Sequence, residues 1–376
     1  MKTPDIKAFR DRASIEPVLR EIARRASRLP SPFRIMEVCG THTMALHKYG
    51  LARQLAETGL DMISGPGCPV CITPDGYHEA AVKLLTETEN LVLASFGDMT
   101  RVPTRVGPIR NAVPARGSQL RIVYSPAEAL EEARGHPEKE VVFYGAGFET
   151  TIPAIARTVE AAGETKTANF SVLGALWLIP PPLRALLESG KTAVQGFLYP
   201  GHVSAVIGTR AYDFIPKTYG LPGAVAGFEP GDIVLGILSV LDQAASGRPV
   251  VANAYGRVVR DEGNPRALEI MDRIFEPCDA LWRGLGEIPG SGLRFRKAWI
   301  AYDAERKFRL DVRSSADDVA GCRCGDVLRG LLSPPQCPLF GVSCSPDSPK
   351  GPCMVSYEGA CLVHFKFARR KGTPHV

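Results

Sequence analysis

Phe33-Arg-Ile-Met-Glu-Val-Cys-Gly-Thr-His-Thr43 starts as a short apolar run and ends in a cysteine, a glycine, a histidine and two threonines that suit a helix start. A strand that stops at a turn of this kind and feeds a helix is the unit of a parallel α/β sheet. Working outward, seven more short runs rich in Val, Ile and Leu alternate with amphipathic stretches. They fall into two sets of four: residues 34–38, 61–64, 91–96 and 120–124, then residues 141–144, 169–173, 192–198 and 223–228. Successive starts are roughly 25 to 30 residues apart, the length of one strand plus a crossover helix.

The first strand of the second set runs into Gly147-Phe-Glu-Thr-Thr151 much as the first runs into Cys39. The expectation is therefore a tandem of two related α/β domains with mainly parallel sheets. An N-terminal helical segment (1–32) would precede them, the domains would span 33–138 and 139–232, and a helical, cysteine-rich module (233–376) would follow. A helix over 233–246 opens that last part, with turns expected at Asn264-Pro-Arg266 and Pro289-Gly-Ser-Gly292. Ligands of open parallel sheets sit beyond the carboxyl ends of the strands, beside helix N-termini. Cys39, Cys68, Asp98, Glu149, His202 and Glu229 all lie at such ends.

Composition narrows the chemistry. A formal charge of +5, scattered except for Arg369, Arg370 and Lys371, is too thin for a nucleic-acid footprint. No apolar run approaches the roughly 18 residues of a membrane span, and the charged N-terminus lacks a signal-peptide core, so a cytoplasmic protein is expected. Thiols stay reduced there, which makes ten cysteines metal ligands or redox groups rather than structural disulfides. Neither a Walker lysine motif nor G-x-G-x-x-G is present, and no local motif supports nucleotide binding.

Three cysteine groups stand out. Cys322, Cys324, Cys337, Cys344, Cys353 and Cys361 crowd a Pro- and Gly-rich stretch with too little periodicity to build a core, so metal ligation would supply its order. Thiolates on irregular loops suit an iron–sulfur cubane. The alternative is a zinc knot, although zinc sites usually pair ligands in C-x2-C hairpins that this stretch lacks. Six cysteines exceed the four that one cluster takes, and the two left over could form a redox pair.

Gly65-Pro-Gly-Cys68-Pro-Val-Cys71 places a C-x2-C at a helix start, where free N–H groups favour a thiolate. If the first two strands are neighbours, Cys39 joins Cys68 and Cys71 over one sheet edge, with His42 beside them as a ligand, a proton donor or a plain surface histidine. Such a sulfur-rich site suits iron, copper(I) or zinc. Glu149 and Thr150 also fit a helix cap. Tyr199-Pro-Gly-His202 fits either a cleft loop or a plain turn, and Cys278, without a cysteine neighbour, fits a packed thiol.

Together Cys39-Gly-Thr-His-Thr43, Gly65-Pro-Gly-Cys-Pro-Val-Cys71, Gly147-Phe-Glu-Thr-Thr151, Tyr199-Pro-Gly-His202 and Cys353-Met-Val-Ser-Tyr-Glu-Gly-Ala-Cys361 closely resemble the hydrogenase formation family HypD, from about Phe33 to Phe367. The resemblance implies a scaffold, rather than a conventional turnover enzyme, that assembles the Fe(CN)2CO unit of [NiFe]-hydrogenase. Its implied partners are the small chaperone HypC and HypE, the latter loaded with a cyanide precursor by HypF. The family holds a [4Fe-4S] cluster on C-x14-C-x6-C-x16-C, a spacing that Cys322, Cys337, Cys344 and Cys361 reproduce. Cys324 and Cys353 then match the family's redox pair. The resemblance puts Cys39 and Cys71 nearest the nascent iron, with Cys68 as the exchange partner of Cys71, and His42, Glu149, His202 and Glu358 as polar groups that position cyanide or carry protons. Cys278 belongs to none of these motifs. The rivals are a free-standing iron–sulfur thiol–disulfide oxidoreductase and a structural zinc protein.

Overall fold

The computed structural model describes residues 6–313 and 321–368; the basic cluster Arg369, Arg370 and Lys371 lies outside them. All eight expected runs are strands: β1 (Phe33–Glu37), β2 (Leu60–Ser64), β3 (Leu91–Ser95), β4 (Gln119–Ile122), β5 (Glu140–Gly147), β6 (Phe170–Leu176), β7 (Gly196–Pro200) and β8 (Gly223–Ala226). Three more follow, β9 (Val251–Asn253), β10 (Phe275–Trp282) and β11 (Gly286–Phe295). Every pairing among β1 to β9 is parallel. Central strands such as β3 and β5 are buried on both faces, as helix-covered parallel strands must be.

The strands are not shared out as two consecutive sets of four. One sheet has the order β2-β1-β7-β8-β9 and the other β4-β3-β5-β6, so each takes two expected strands from either set. The chain lays down β1 and β2, builds the whole second sheet, and then returns to set β7 beside β1. The crossovers within a sheet and between sheets are alike in length, and spacing therefore cannot tell which sheet receives the next strand.

This wiring creates a point in each sheet where the strand order reverses, between β1 and β7 in the first and between β3 and β5 in the second. The first sheet packs Leu198, Ala224 and Ala226 against Ile233, Val234 and Ile237 of the Pro230–Ser246 helix. The largest core cluster joins the two sheets, running from Tyr199 and Val225 to Val142 and Leu173, and it includes Cys68, Cys71, Cys324 and Cys353.

Pro289-Gly-Ser-Gly292 is not a turn but part of β11, which pairs antiparallel with β10 through a bulge between Cys278 and Ala280. Gly290 takes φ +62 within it, a conformation that costs glycine little. The chain turns instead at 283–285. Asn264 caps the Pro265–Ile274 helix, its side chain accepting from the N–H groups of Arg266 and Ala267. The stretch from Cys322 to Cys361 is mostly irregular, with short helical turns at Cys324–Leu328, Pro334–Gln336 and Pro352–Met354, and it ends in a helix, Ala360–Ala368, that carries Cys361. Among the described residues no helix is long and apolar enough to cross a membrane.

Candidate functional site

Both reversal points carry the residues singled out in the sequence. Cys39 follows β1 and His202 follows β7; Asp98 follows β3 and Glu149 follows β5. One core cluster spans the two sheets beneath these points, with Val38, Cys68 and Tyr199 on one side and Tyr144, Phe148 and Trp177 on the other.

Backbone contact, made possible by glycine, draws three segments onto Cys39. β1 and β2 pair in parallel, so the Gly65–Cys68 loop falls beside the end of β1. Gly40 N–H donates to Gly67 O at 3.3 Å, and a Cβ on Gly67 would lie 2.6 Å from Cys39 Cα. On the other side a Cβ on Gly40 would lie 2.5 Å from Glu358 O, and Thr41 Oγ1 donates to Glu358 Oε1 at 2.6 Å. Cys39, the C-x2-C loop and the Glu358 segment are thus locked together at a distance only glycine permits.

Cys68 is the N-cap of the Pro69–Ile72 helix, as its sequence suggests, and its sulfur accepts the Cys71 N–H at 3.3 Å. Cys68 and Cys71 form a disulfide. Both are buried, at 3% and 0% exposure. Burial, followed by the charges of Glu358 and Glu37, pushes the Cys39 thiol up to about 12. It gives up its proton only when a metal or another electrophile takes its place.

Glu37, absent from the sequence-based candidates, supports Cys39 directly. It accepts the Cys39 N–H at 2.9 Å and the Thr43 hydroxyl, is 1% exposed, and is pushed up to about 8 by burial. An acidic residue two positions before Cys39, after the apolar pair Ile35 and Met36, was the available signal.

His42 is wholly buried, which excludes the surface reading, and burial lowers it to about 4. Its Nε2 lies 3.0 Å from Gly227 O and so carries the proton, leaving Nδ1 as an unpartnered acceptor. A neutral ring held this way resists protonation and presents Nδ1 as a hydrogen-bond acceptor. Phe228 separates it from the exposed His202, whose ring stacks on Phe228 at 3.9 Å.

Glu149 does not cap a helix. Thr151 is the N-cap of the Ile152–Glu164 helix and makes no side-chain cap bond, while Glu149 Oε1 accepts the Ile179 N–H at 3.0 Å. Its Oε2 is buried without a partner, and burial pushes the carboxyl up to about 7. Burial also raises Glu358.

The six C-terminal cysteines line one small, partly open space, together with Leu339, Phe340 and Met354. Hydrogen bonds with Cys324 and Cys361, and then burial, raise Cys353 well above an ordinary thiol. Burial pushes Cys322 up to about 12. Cys344 Sγ accepts the Lys350 N–H at 3.3 Å, and Gly351 lets the chain pass Cys322 Sγ, which a Cβ there would meet at 3.0 Å. The Pro352–Met354 turn carrying Cys353 packs on the Pro69–Ile72 helix carrying Cys71. Among the described residues no three His, Cys, Asp or Glu side chains close around a single-ion position. Cys278 sits half-buried in the β10–β11 hairpin, away from this space.

The profile of the family HypD, described as "Hydrogenase formation hypA family", matches residues 13–368. The chain is 43% identical over 367 residues to the hydrogenase maturation factor HypD of Rhodobacter capsulatus, covering 96% of this chain and 97% of that one. It is 41% identical to the factor of the same name from Cupriavidus necator, with 99% of each covered. It is 40% identical to that of Escherichia coli, with 97% of this chain and 98% of the relative covered.

Proposed function

The chain belongs to the HypD family of hydrogenase maturation factors, and we propose from that premise that it is the scaffold on which the Fe(CN)2CO fragment is built, with a thiol relay as its source of reducing equivalents. The observation that carries this is one of adjacency. Cys39 sits at a reversal point, the loop that leads into the Cys68–Cys71 disulfide lies against it, and the turn bearing Cys353 packs on the short helix bearing Cys71.

Cys322, Cys337, Cys344 and Cys361 would hold a [4Fe-4S] cluster, which supplies single electrons when bound. The donor set fits: three spaced thiols on irregular segments and a fourth, Cys361, at the start of the Ala360–Ala368 helix, all around one space, with a backbone N–H on Cys344 Sγ of the kind that tunes such clusters. A lone zinc fits less well, since it needs sulfurs closed to about 2.3 Å around one point, and no such closure exists among the described residues.

The remaining steps belong to the chain's own residues. With the disulfide formed, Cys71 cannot ligate iron. Transfer of two electrons and two protons from the Cys324/Cys353 dithiol opens it, and Cys71 can then join Cys39 on the iron substrate. The Cys39 proton leaves as iron binds, and His42, kept neutral by burial, offers Nδ1 as a hydrogen-bond acceptor beside the site. Glu149, Glu358 and His202 are left to orient cyanide and pass protons across the crevice. The small chaperone HypC would share the iron, and HypE, charged through HypF, would deliver cyanide. Burial of both Cys68 and Cys71 counts against a free-standing thiol–disulfide oxidoreductase, because a protein disulfide has no approach to them.

Infrared spectroscopy of the chain purified anaerobically with its small partner tests the proposal. Cyanide and carbonyl stretches that vanish in Cys39→Ala are expected; a wild-type complex that contains iron but shows neither band would refute it.

A further inference from the structure

The turn between β10 and β11 holds a buried cation that none of the steps above uses. Arg283 is 2% exposed. Its backbone N–H donates to Ile72 O at 2.8 Å, one residue beyond Cys71. Its Nη1 is bonded to Asp75 at the start of the next helix, while Nε and Nη2 have no hydrogen-bond partner among the described residues. Beyond Asp75, the groups its charge acts on most are Cys324 and Cys322. The following residue, Gly284, lies against Gly325, where a Cβ would come 2.7 Å from Gly284 O, and Arg329 donates to that same oxygen. The turn is thus wedged between the disulfide segment on one side and the helix of Cys324 on the other. A guanidinium with one carboxylate partner and open donors keeps the capacity to stabilise further negative charge.

We propose that Arg283 is a positioning residue for sulfur exchange between the Cys324/Cys353 dithiol and the Cys68–Cys71 disulfide, seating the C-x2-C segment and stabilising the charge that develops on sulfur. This rests on the relay described above. In the step one sulfur of the dithiol attacks the Cys68–Cys71 bond, a bridge between the pairs forms, and a second attack releases it. The Cys68–Cys71 bond is broken, a Cys324–Cys353 bond is made, and two electrons and two protons pass between the pairs with no outside reactant. Negative charge grows on the leaving sulfur in each half, and a fixed cation in a water-poor site lowers that barrier.

The test uses the anaerobic, cluster-reconstituted full chain with Cys68–Cys71 oxidised. A photo-excited flavin serves as one-electron donor, and the appearance of Cys68 and Cys71 thiols is followed by acid quench, alkylation and mass spectrometry. Arg283→Met is expected to slow that appearance at least about tenfold with the cluster absorbance intact, and Arg283→Lys to stay within about threefold of wild type. Should Arg283→Met fold poorly, Asp75→Asn with Arg283→Gln removes both members of the buried pair, a change such pairs tolerate, and the same slowing is expected. A charge-free variant within about twofold of wild type overturns the role of Arg283 while leaving the relay standing. If Cys324→Ser opens Cys68–Cys71 as fast as wild type, the relay itself fails, and this role with it.

Discussion

Gly67→Ala tests whether the C-x2-C loop and Cys39 form one site. The new methyl would stand 2.6 Å from Cys39 Cα and as close to the backbone of Val38 and Cys39, none of which can swing aside as a side chain would. Ordinary carbon contacts are about 3.5 to 4.0 Å, so the loop must retreat by about 1 Å and strain the Gly40 N–H bond to Gly67 O. Overpacking of this kind costs about 1 to 3 kcal/mol, and a misplacement of about 1 Å costs roughly a hundredfold in rate where groups must meet. Hydrogenase activity matured by Gly67→Ala in a strain lacking the wild-type chain should fall about a hundredfold, more than the drop in folded protein explains. Gly135→Ala is the control, since nothing lies within 4 Å of its added Cβ. Wild-type maturation by Gly67→Ala, with unchanged thermal stability, would refute the close approach.

Glu37 ties stability to pH. Its folded value of about 8 lies above the unfolded 4.5, so the protonated carboxyl contributes stability that is full below 4.5 and lost as pH rises through 8. From about pH 5.5 to about pH 7.5 the wild type should lose about 2 to 3 kcal/mol relative to Glu37→Gln in chemical denaturation, on top of a pH-independent offset; parallel profiles would show that Glu37 is ionised. Cys324→Ser should keep the cluster's visible absorbance yet abolish maturation, and an unaffected maturation level would remove Cys324 from the relay.

The eight strands from β1 to β8 were legible because each is an apolar run that ends where the chemistry changes. Their distribution between two sheets was not, since a crossover from β2 to β3 looks like one from β1 to β2. β10 and β11 were hidden by Pro277, Pro289, Gly290 and Gly292, residues that read as loop and are tolerated in an isolated two-stranded hairpin with a bulge. The cysteines announced themselves by type and spacing. Their supports did not. Glu37 matters because it is buried beneath Cys39, and Arg283 because it meets Asp75 across 208 positions of sequence. Likewise the roles of His42 and Glu149 turn on which nitrogen or oxygen is left without a partner, which depends on Gly227 and Ile179 from other elements.

Iron and acid-labile sulfide, counted in anaerobically purified chain, bear most directly on sulfur-held iron as the centre of this chemistry. About four of each per chain are expected in the wild type and in Cys324→Ser, with loss of both from Cys337→Ala. Zinc in place of iron, no labile sulfide, or full cluster content in Cys337→Ala would contradict it.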